Sequence, residues 1–295
     1  MSAIIIDGKK TASEMRAQIR SGVEELKRKH GIVPCLAVVL VGNNPASISY
    51  VTAKEKACAE AGITSFDNRL PEDTPEKDLI LLIKKLNADS RVHGILVQLP
   101  LPKHIDENNV IDAISPDKDV DGFTPANVGK MVIGQRAFQP CTPHGVIKLL
   151  EFNNIETDGA HVVVIGRSNI VGKPLMNMLV QKSRTGNATV TLCHTHTKDM
   201  AKYTRQADIV VAASGHPNTL TADMIKEGAV VIDVGVNRIP SPESPKGYRL
   251  VGDTDFNALK EKASFITPVP GGVGPMTITM LLFNTLEAAR NTIKD

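Results

Sequence analysis

The chain has 295 residues, 42% of them apolar and 22% charged, with a formal net charge of +2. That length allows two domains of ordinary size, and the balance is that of a globular protein with a full core. Aromatics make up only 3% of the chain, Trp is absent and the basic residues are dispersed, which excludes the stacking platforms and cationic stripes of nucleic-acid binders.

The opening residues, Met1-Ser-Ala-Ile-Ile-Ile6, form an apolar run too short for a signal peptide. No stretch approaches a membrane span, so the expected location is a reducing cytoplasm. Cys35, Cys58, Cys141 and Cys193 form no C-x-x-C pair and read as buried free thiols. Thr11 to Lys29 predicts an amphipathic helix ended by His30-Gly31, and Pro34 to Val41 a buried strand. Asn44 before Pro45 marks the next helix start, the Asn as cap and the Pro where no amide hydrogen is needed.

On that helix Ser47, Tyr50 and Lys54 share one face by their spacing. The helix follows a strand, so its first turns lie at the carboxyl edge of the sheet, where open α/β folds bind ligands. On spacing alone this is equally a solvated face. In a closed cleft, loss of water weakens a lysine's hold on its proton and equips it for general acid or base work.

Pro75 to Ala88 predicts a helix, and His93 to Pro102 a strand stopped by prolines. Gln98 is a polar amide at the end of that apolar strand. It caps local backbone or faces a ligand, and its place at the strand's end favours the ligand. Asp117, Asp119, Asp121 and Gly122 match the first half of a calcium loop, but the twelfth position is Val128 rather than Glu, so no metal is expected. Asp121 is better suited to pair with an N–H-rich ring.

In the second half, His161 to Ile165 is a β-branched run leading into a loop with Gly166, Ser168, Asn169 and Gly172. Pro174 follows, where a helix begins. Strand, glycine loop and helix start make an anion-binding corner. The spacing is not G-x-G-x-x-G, and an ordinary βα turn would carry the same pattern. After the next strand, Thr189 to Cys193, an NAD site places an acidic residue, yet this chain offers His194-Thr195-His196-Thr197-Lys198. Hydroxyls and cations there, with Arg167 as a bidentate partner, suit a ribose 2′-phosphate and hence NADP. Cys193, His194 and His196 lack a fourth ligand for a transition metal.

Ala207 to Gly215 and Ala229 to Asn237 predict two further strands, and His216-Pro217 a turn. Arg238 to Leu250, with three prolines, reads as a surface insertion. Phe265 to Thr277 repeats the glycine-loop logic ahead of a helix from Met276 to Asn291. It lacks the Gly-Lys-Ser/Thr of a triphosphate loop, and its glycines admit a flat ligand close to the backbone.

Five segments occur in order: Tyr50-Val-Thr-Ala-Lys54, Gly94-Ile-Leu-Val-Gln-Leu-Pro-Leu101, Lys118-Asp-Val-Asp-Gly122, Pro140-Cys-Thr-Pro143 and Gly166-Arg-Ser-Asn-Ile-Val-Gly-Lys-Pro174. Together they resemble the signature segments of the methylenetetrahydrofolate dehydrogenase/methenyltetrahydrofolate cyclohydrolase family, essentially end to end.

The resemblance implies two α/β domains flanking a cleft, the second a Rossmann-like doubly wound parallel sheet. Residues 1–144 with 270–295 would bind folate, and 145–269 would bind NADP. It implies that Lys54 moves protons, Gln98 fixes it, Ser47 supports it, Tyr50 stacks on the substrate and Asp121 grips the pterin. Val97 and Leu99 would line the same site, and the loop Pro270, Gly271, Gly272, Val273 and Gly274 would close over it.

For the coenzyme it implies Gly166, Arg167, Ser168, Ile170, Thr195, His196, Ser214, Gly215, Val236 and Thr277, and for assembly a homodimer. A dehydrogenase of small hydroxy or keto acids would share the glycine corner but give no reason for Lys54, Gln98 and Asp121 to occur together. A non-catalytic NADP-binding protein would be free to lose Lys54.

Overall fold

A computed structural model of the chain describes residues 2–244 and 247–293. Pro245 and Lys246, within the expected insertion, lie outside the described residues. The elements open with β1 (Ile4–Ile5), α1 (Gly8–His30), β2 (Cys35–Val41), α2 (Pro45–Ala61), β3 (Thr64–Leu70), α3 (Glu76–Ala88) and β4 (Gly94–Val97). They continue with α4 (Glu107–Asp112), α5 (Pro125–Val132), α6 (Cys141–Phe152), β5 (His161–Ile165), α7 (Gly172–Leu179), β6 (Thr189–Cys193) and α8 (Met200–Thr204). The last are β7 (Ile209–Ala212), β8 (Val230–Asp233), β9 (Asn237–Pro240), β10 (Tyr248–Val251), α9 (Phe256–Lys260), β11 (Phe265–Ile266) and α10 (Val273–Arg290).

These elements form two compact units, one of Ser13–Cys141 with Ile278–Asp295, the other of Met1–Ala12 with Thr142–Thr277. The first is built on a parallel three-stranded sheet ordered β3-β2-β4. Every residue of β2 is buried, as its unbroken apolar run requires in a parallel sheet. Val39, Val97, Leu79, Ile83 and Val110 share one apolar cluster beside it. Asn44 caps α2 by accepting from the Ala46 and Ser47 amides at 2.9 and 3.3 Å. From β2 the chain pairs β3 on one side and returns to β4 on the other. Their connections therefore diverge at the carboxyl ends of β2 and β4, where α/β sheets bind ligands.

The second unit carries a six-stranded sheet ordered β1-β11-β8-β7-β5-β6, with every pairing parallel. Val163, Ile165, Val210, Val231 and Ile266 belong to its core cluster. Here the reversal falls between β5 and β7. β1, which the sequence presented only as a short apolar run, pairs with β11 and ties the N-terminal residues to this unit. The glycine loop joins it too: a Cβ on Gly8 would stand 1.8 Å from the Gly272 carbonyl oxygen. Residues 1–12 and 270–277 thus fall with the six-stranded sheet in this division, whereas the sequence grouped them with the folate segments. The expected surface insertion is an antiparallel hairpin of β9 and β10, with the Arg238 guanidinium 4.8 Å from the Tyr248 ring centroid. All four cysteines are free and buried.

Candidate active site

In the three-stranded unit the reversal brings α2 and the end of β4 together. Lys54, half-buried on α2, donates from Nζ to Gln98 Oε1 at 3.0 Å. Gln98 Nε2 donates to the Leu99 carbonyl at 2.6 Å, which fixes the amide so that its oxygen faces the ammonium. The amide therefore does both things its position suggested: it caps local backbone with one end and presents an acceptor with the other.

Asp121 reaches the same charge from the turn between α4 and α5. Burial pushes its carboxyl above the usual range, the Lys54 charge opposes that, and Asp119 adds to it. The Cys141 thiol donates to the Val120 carbonyl and to Asp121 Oδ1, at 3.4 and 3.7 Å. Asp119, fully buried, accepts from the Phe123 and Thr124 amides, the Thr124 hydroxyl and Asn127 Nδ2. Asp119 is thus taken up by the turn that leads into α5.

Ser47 is buried on the face of α2 that also carries Val51. Tyr50, by contrast, is 47% exposed, an aromatic face open to a planar ligand. Val97 is buried at the end of β4, and Leu99 is half-buried.

The second site lies at the reversal of the six-stranded sheet. Gly166 ends β5 with φ +131°, and a Cβ there would stand 2.1 Å from the Ala213 carbonyl oxygen. Only glycine lets the loops after β5 and β7 approach this closely. Ser168 Oγ accepts from the Val171 and Gly172 amides at 3.1 and 3.4 Å, closing the loop that leads into α7. Arg167, Ile170, Thr195 and His196 are exposed. Loss of water, then the charges of Arg167 and His196, holds the His194 imidazole below its ordinary range, which groups the Arg167 guanidinium and two imidazoles at the ends of β5 and β6.

Ser214 and Gly215 form the turn after β7, and Val236 is exposed after β8. The Thr277 and Thr142 hydroxyls pair at 2.9 Å near the start of α10. Pro270 to Gly274 lies in this same compact unit rather than with Lys54. Separately, a cavity of about 410 Å³ lined by Glu151, Asn154, Asp158 and Arg184 borders the segment before β5, at the amino edge of the sheet and away from these groups.

Sequence reasoning missed Asp233 and Asp253, which brace the turn after β7. Their only signal is a glycine two residues after one and immediately before the other.

Two family models match the chain. The tetrahydrofolate dehydrogenase/cyclohydrolase catalytic domain matches residues 6–121, and the NAD(P)-binding domain of the same enzymes matches 140–293. A relative from Dehalococcoides mccartyi (strain CBDB1), the bifunctional protein FolD, is 57% identical over 294 residues, covering 99% of each chain. The crystal structure of the FolD methylenetetrahydrofolate dehydrogenase/cyclohydrolase from Campylobacter jejuni is 49% identical with a TM-score of 0.93, covering 99% of this chain and 100% of that one. The Trypanosoma brucei dehydrogenase-cyclohydrolase, solved with NADP cofactor and inhibitor, is 39% identical with a TM-score of 0.95, covering 100% of both chains.

Proposed function

The chain belongs to the tetrahydrofolate dehydrogenase/cyclohydrolase family, and we propose that it carries both reactions. One is NADP-dependent oxidation of 5,10-methylenetetrahydrofolate to the 5,10-methenyl cation. The other is hydrolysis of that cation to 10-formyltetrahydrofolate. The observation that carries the reading is the 3.0 Å hydrogen bond from Lys54 to an amide oxygen fixed in orientation, with the Asp121 carboxyl coupled to the same ammonium.

Hydrolysis is a matter of protons. Water adds to the methenyl carbon and gives up one proton. The bond from that carbon to N5 then breaks, the carbinolamine hydroxyl loses its proton to solvent as the formyl C=O forms, and N5 takes one proton up, so that one proton is released overall. A single amine accounts for both movements: Lys54 receives the first and returns the second. Gln98 holds Lys54 and the carbinolamine oxygen in line. Ser47 supports the helix face beneath, and Tyr50 stacks on the aminobenzoyl ring. Asp121 accepts from the pterin N–H groups, and ring donors compensate the loss of water that burial imposes on its carboxyl. Val97, Leu99 and the loop Pro270 to Gly274 complete the folate contacts.

The six-stranded unit fits NADP by its own features, a glycine cradle at the reversal point and the Arg167 guanidinium beside two imidazoles at the end of β6. NADP, when bound, supplies the hydride acceptor. The chain's part is to hold and align. Gly166, Ser168 and Ile170 would meet the pyrophosphate, and Arg167, Thr195 and His196 the ribose phosphate. Ser214, Gly215, Val236 and Thr277 would meet the remainder. Among the described residues no helix is long and apolar enough to cross a membrane. The reading includes a cytoplasmic homodimer, which sedimentation at the monomer mass would remove.

A spectrophotometric assay with methylenetetrahydrofolate and either NADP⁺ or NAD⁺ tests the reading directly. Lys54→Met should abolish hydrolysis, by about 10³-fold or more, and leave NADP⁺ binding intact. Hydrolysis at the normal rate would exclude Lys54 from the chemistry.

A further inference from the structure

At the carboxyl edge of the six-stranded sheet two buried aspartates interlock. Asp233, 2% exposed, ends β8, and Asp253, fully buried, follows β10. Asp233 Oδ1 accepts from the Gly235 and Asp253 amides, both at 2.9 Å. Its Oδ2 accepts from the Thr254 amide and hydroxyl at 3.0 and 2.6 Å. Asp253 Oδ1 accepts from Asn237 Nδ2 at 2.8 Å. Its Oδ2 takes the Ser214 amide at 2.6 Å, the Gly215 amide at 2.8 Å and the Ser214 hydroxyl at 3.0 Å.

Room for both carboxylates comes from two glycines: a Cβ on Gly235 would stand 2.0 Å from Asp253 Oδ1, and one on Gly252 1.9 Å from Asp233 Oδ2. All of these donors are neutral groups. Burying two carboxylates side by side without a cation among their donors is costly; burial raises the Asp233 carboxyl, the bonds from Thr254, Asp253 and Gly235 oppose that, and the Asp253 charge adds least. Closing a β-turn does not require that expense. What the arrangement achieves is a single shape for Ser214–Gly215, since three of the four bonds to Asp253 come from those two residues.

That turn stands on the far side of the reversal point from the cluster of Arg167, His194 and His196. A dinucleotide whose 2′-phosphate sits on that cluster lays its other half over β7 and β8. We propose that Asp253, braced by Asp233, is a positioning residue that shapes the Ser214–Gly215 turn to receive the nicotinamide half of NADP, an inference that rests on the coenzyme reading above.

The experiment is Asp253→Asn, near-isosteric and uncharged, assayed for both activities. The KM and Kd for NADP⁺ should rise about tenfold, with kcat at saturating coenzyme within twofold. Hydrolysis of methenyltetrahydrofolate, measured with no coenzyme present, should keep its wild-type rate. Coenzyme affinity within twofold of wild type, or parallel loss of both activities, would overturn the proposal. If Asp253→Asn fails to fold, Ser214→Ala decides, since it removes the hydroxyl and its bonds to Asp253, Thr219 and His216 while leaving both backbone amides on Asp253. A rise in KM of about threefold supports the positioning role, and an unchanged KM overturns it. Wild-type enzyme unable to use NADP⁺ would instead sink the coenzyme reading itself, so the two failures are separable.

Discussion

In both units the chain leaves a central strand, pairs on one side and crosses back to the other, so that loops diverge at the carboxyl ends of the central strands. What stands in those loops differs. The three-stranded unit presents side chains that titrate or accept protons, Lys54, Gln98 and Asp121, on a helix face, a strand end and a turn. The six-stranded unit presents mostly backbone: a glycine, loop amides and a turn shaped by a buried carboxylate. Moving a proton requires a side chain that can gain and lose one. Holding an anionic dinucleotide requires fixed donors, which the main chain supplies without reorganising.

The comparison breaks most readily at Gly166. Gly166→Ala forces a Cβ to within 2.1 Å of the Ala213 oxygen at φ +131°. NADP-dependent oxidation should drop below about 1% of wild type, while coenzyme-free hydrolysis survives. Loss of both activities in the purified, folded variant would show that the two regions do not work independently.

Protons sharpen it next. Burial, then the Lys148 charge, pushes the His144 imidazole in α6 down to about 4, with Glu151 opposing. Because the folded value is depressed, the unfolded chain binds the proton first as pH falls. Stability from this group is whole above the ordinary value of 6.5 and lost towards about 4, a total of about 3 kcal/mol. Asp121 has the opposite sign: with its folded value raised, its contribution is whole below the ordinary carboxyl value of 3.8 and lost as pH rises through the folded one. Denaturant titrations from pH 7 to 4 should show a shallower acid loss in His144→Gln by that amount. An acid loss as steep as wild type would refute the linkage.

Gln98→Ala removes the acceptor that orients Lys54 and should slow hydrolysis about 100-fold, with the NADP⁺ KM unchanged. A smaller effect is expected at Arg167. Arg167→Ser should raise the KM for NADP⁺ about tenfold and leave that for NAD⁺ alone. An equal rise for both coenzymes would move Arg167 off the 2′-phosphate.

Much of this arrangement is legible locally. Asn44-Pro45 marks the start of α2, the β-branched run before Gly166 marks β5, and the polar amide after an apolar strand picks out Gln98. Those features depend on neighbours in sequence. β3, Thr-Ser-Phe-Asp-Asn-Arg-Leu, escaped because an edge strand needs little apolar patterning, and β2 supplies its partner. β1 escaped because two residues carry no period at all. Asp233 and Asp253 look like ordinary turn aspartates until the fold brings β8 and the end of β10 together, and no spacing rule reaches across that distance.

The pairing of β1 with β11 also bears on how the protein is made. Ile4 and its partner Phe265 lie roughly 260 residues apart, which at ordinary elongation rates separates their synthesis by roughly 10–50 s. Over that interval the outermost strand of the six-stranded sheet waits unpaired, so the sheet is completed only once β11 has been made.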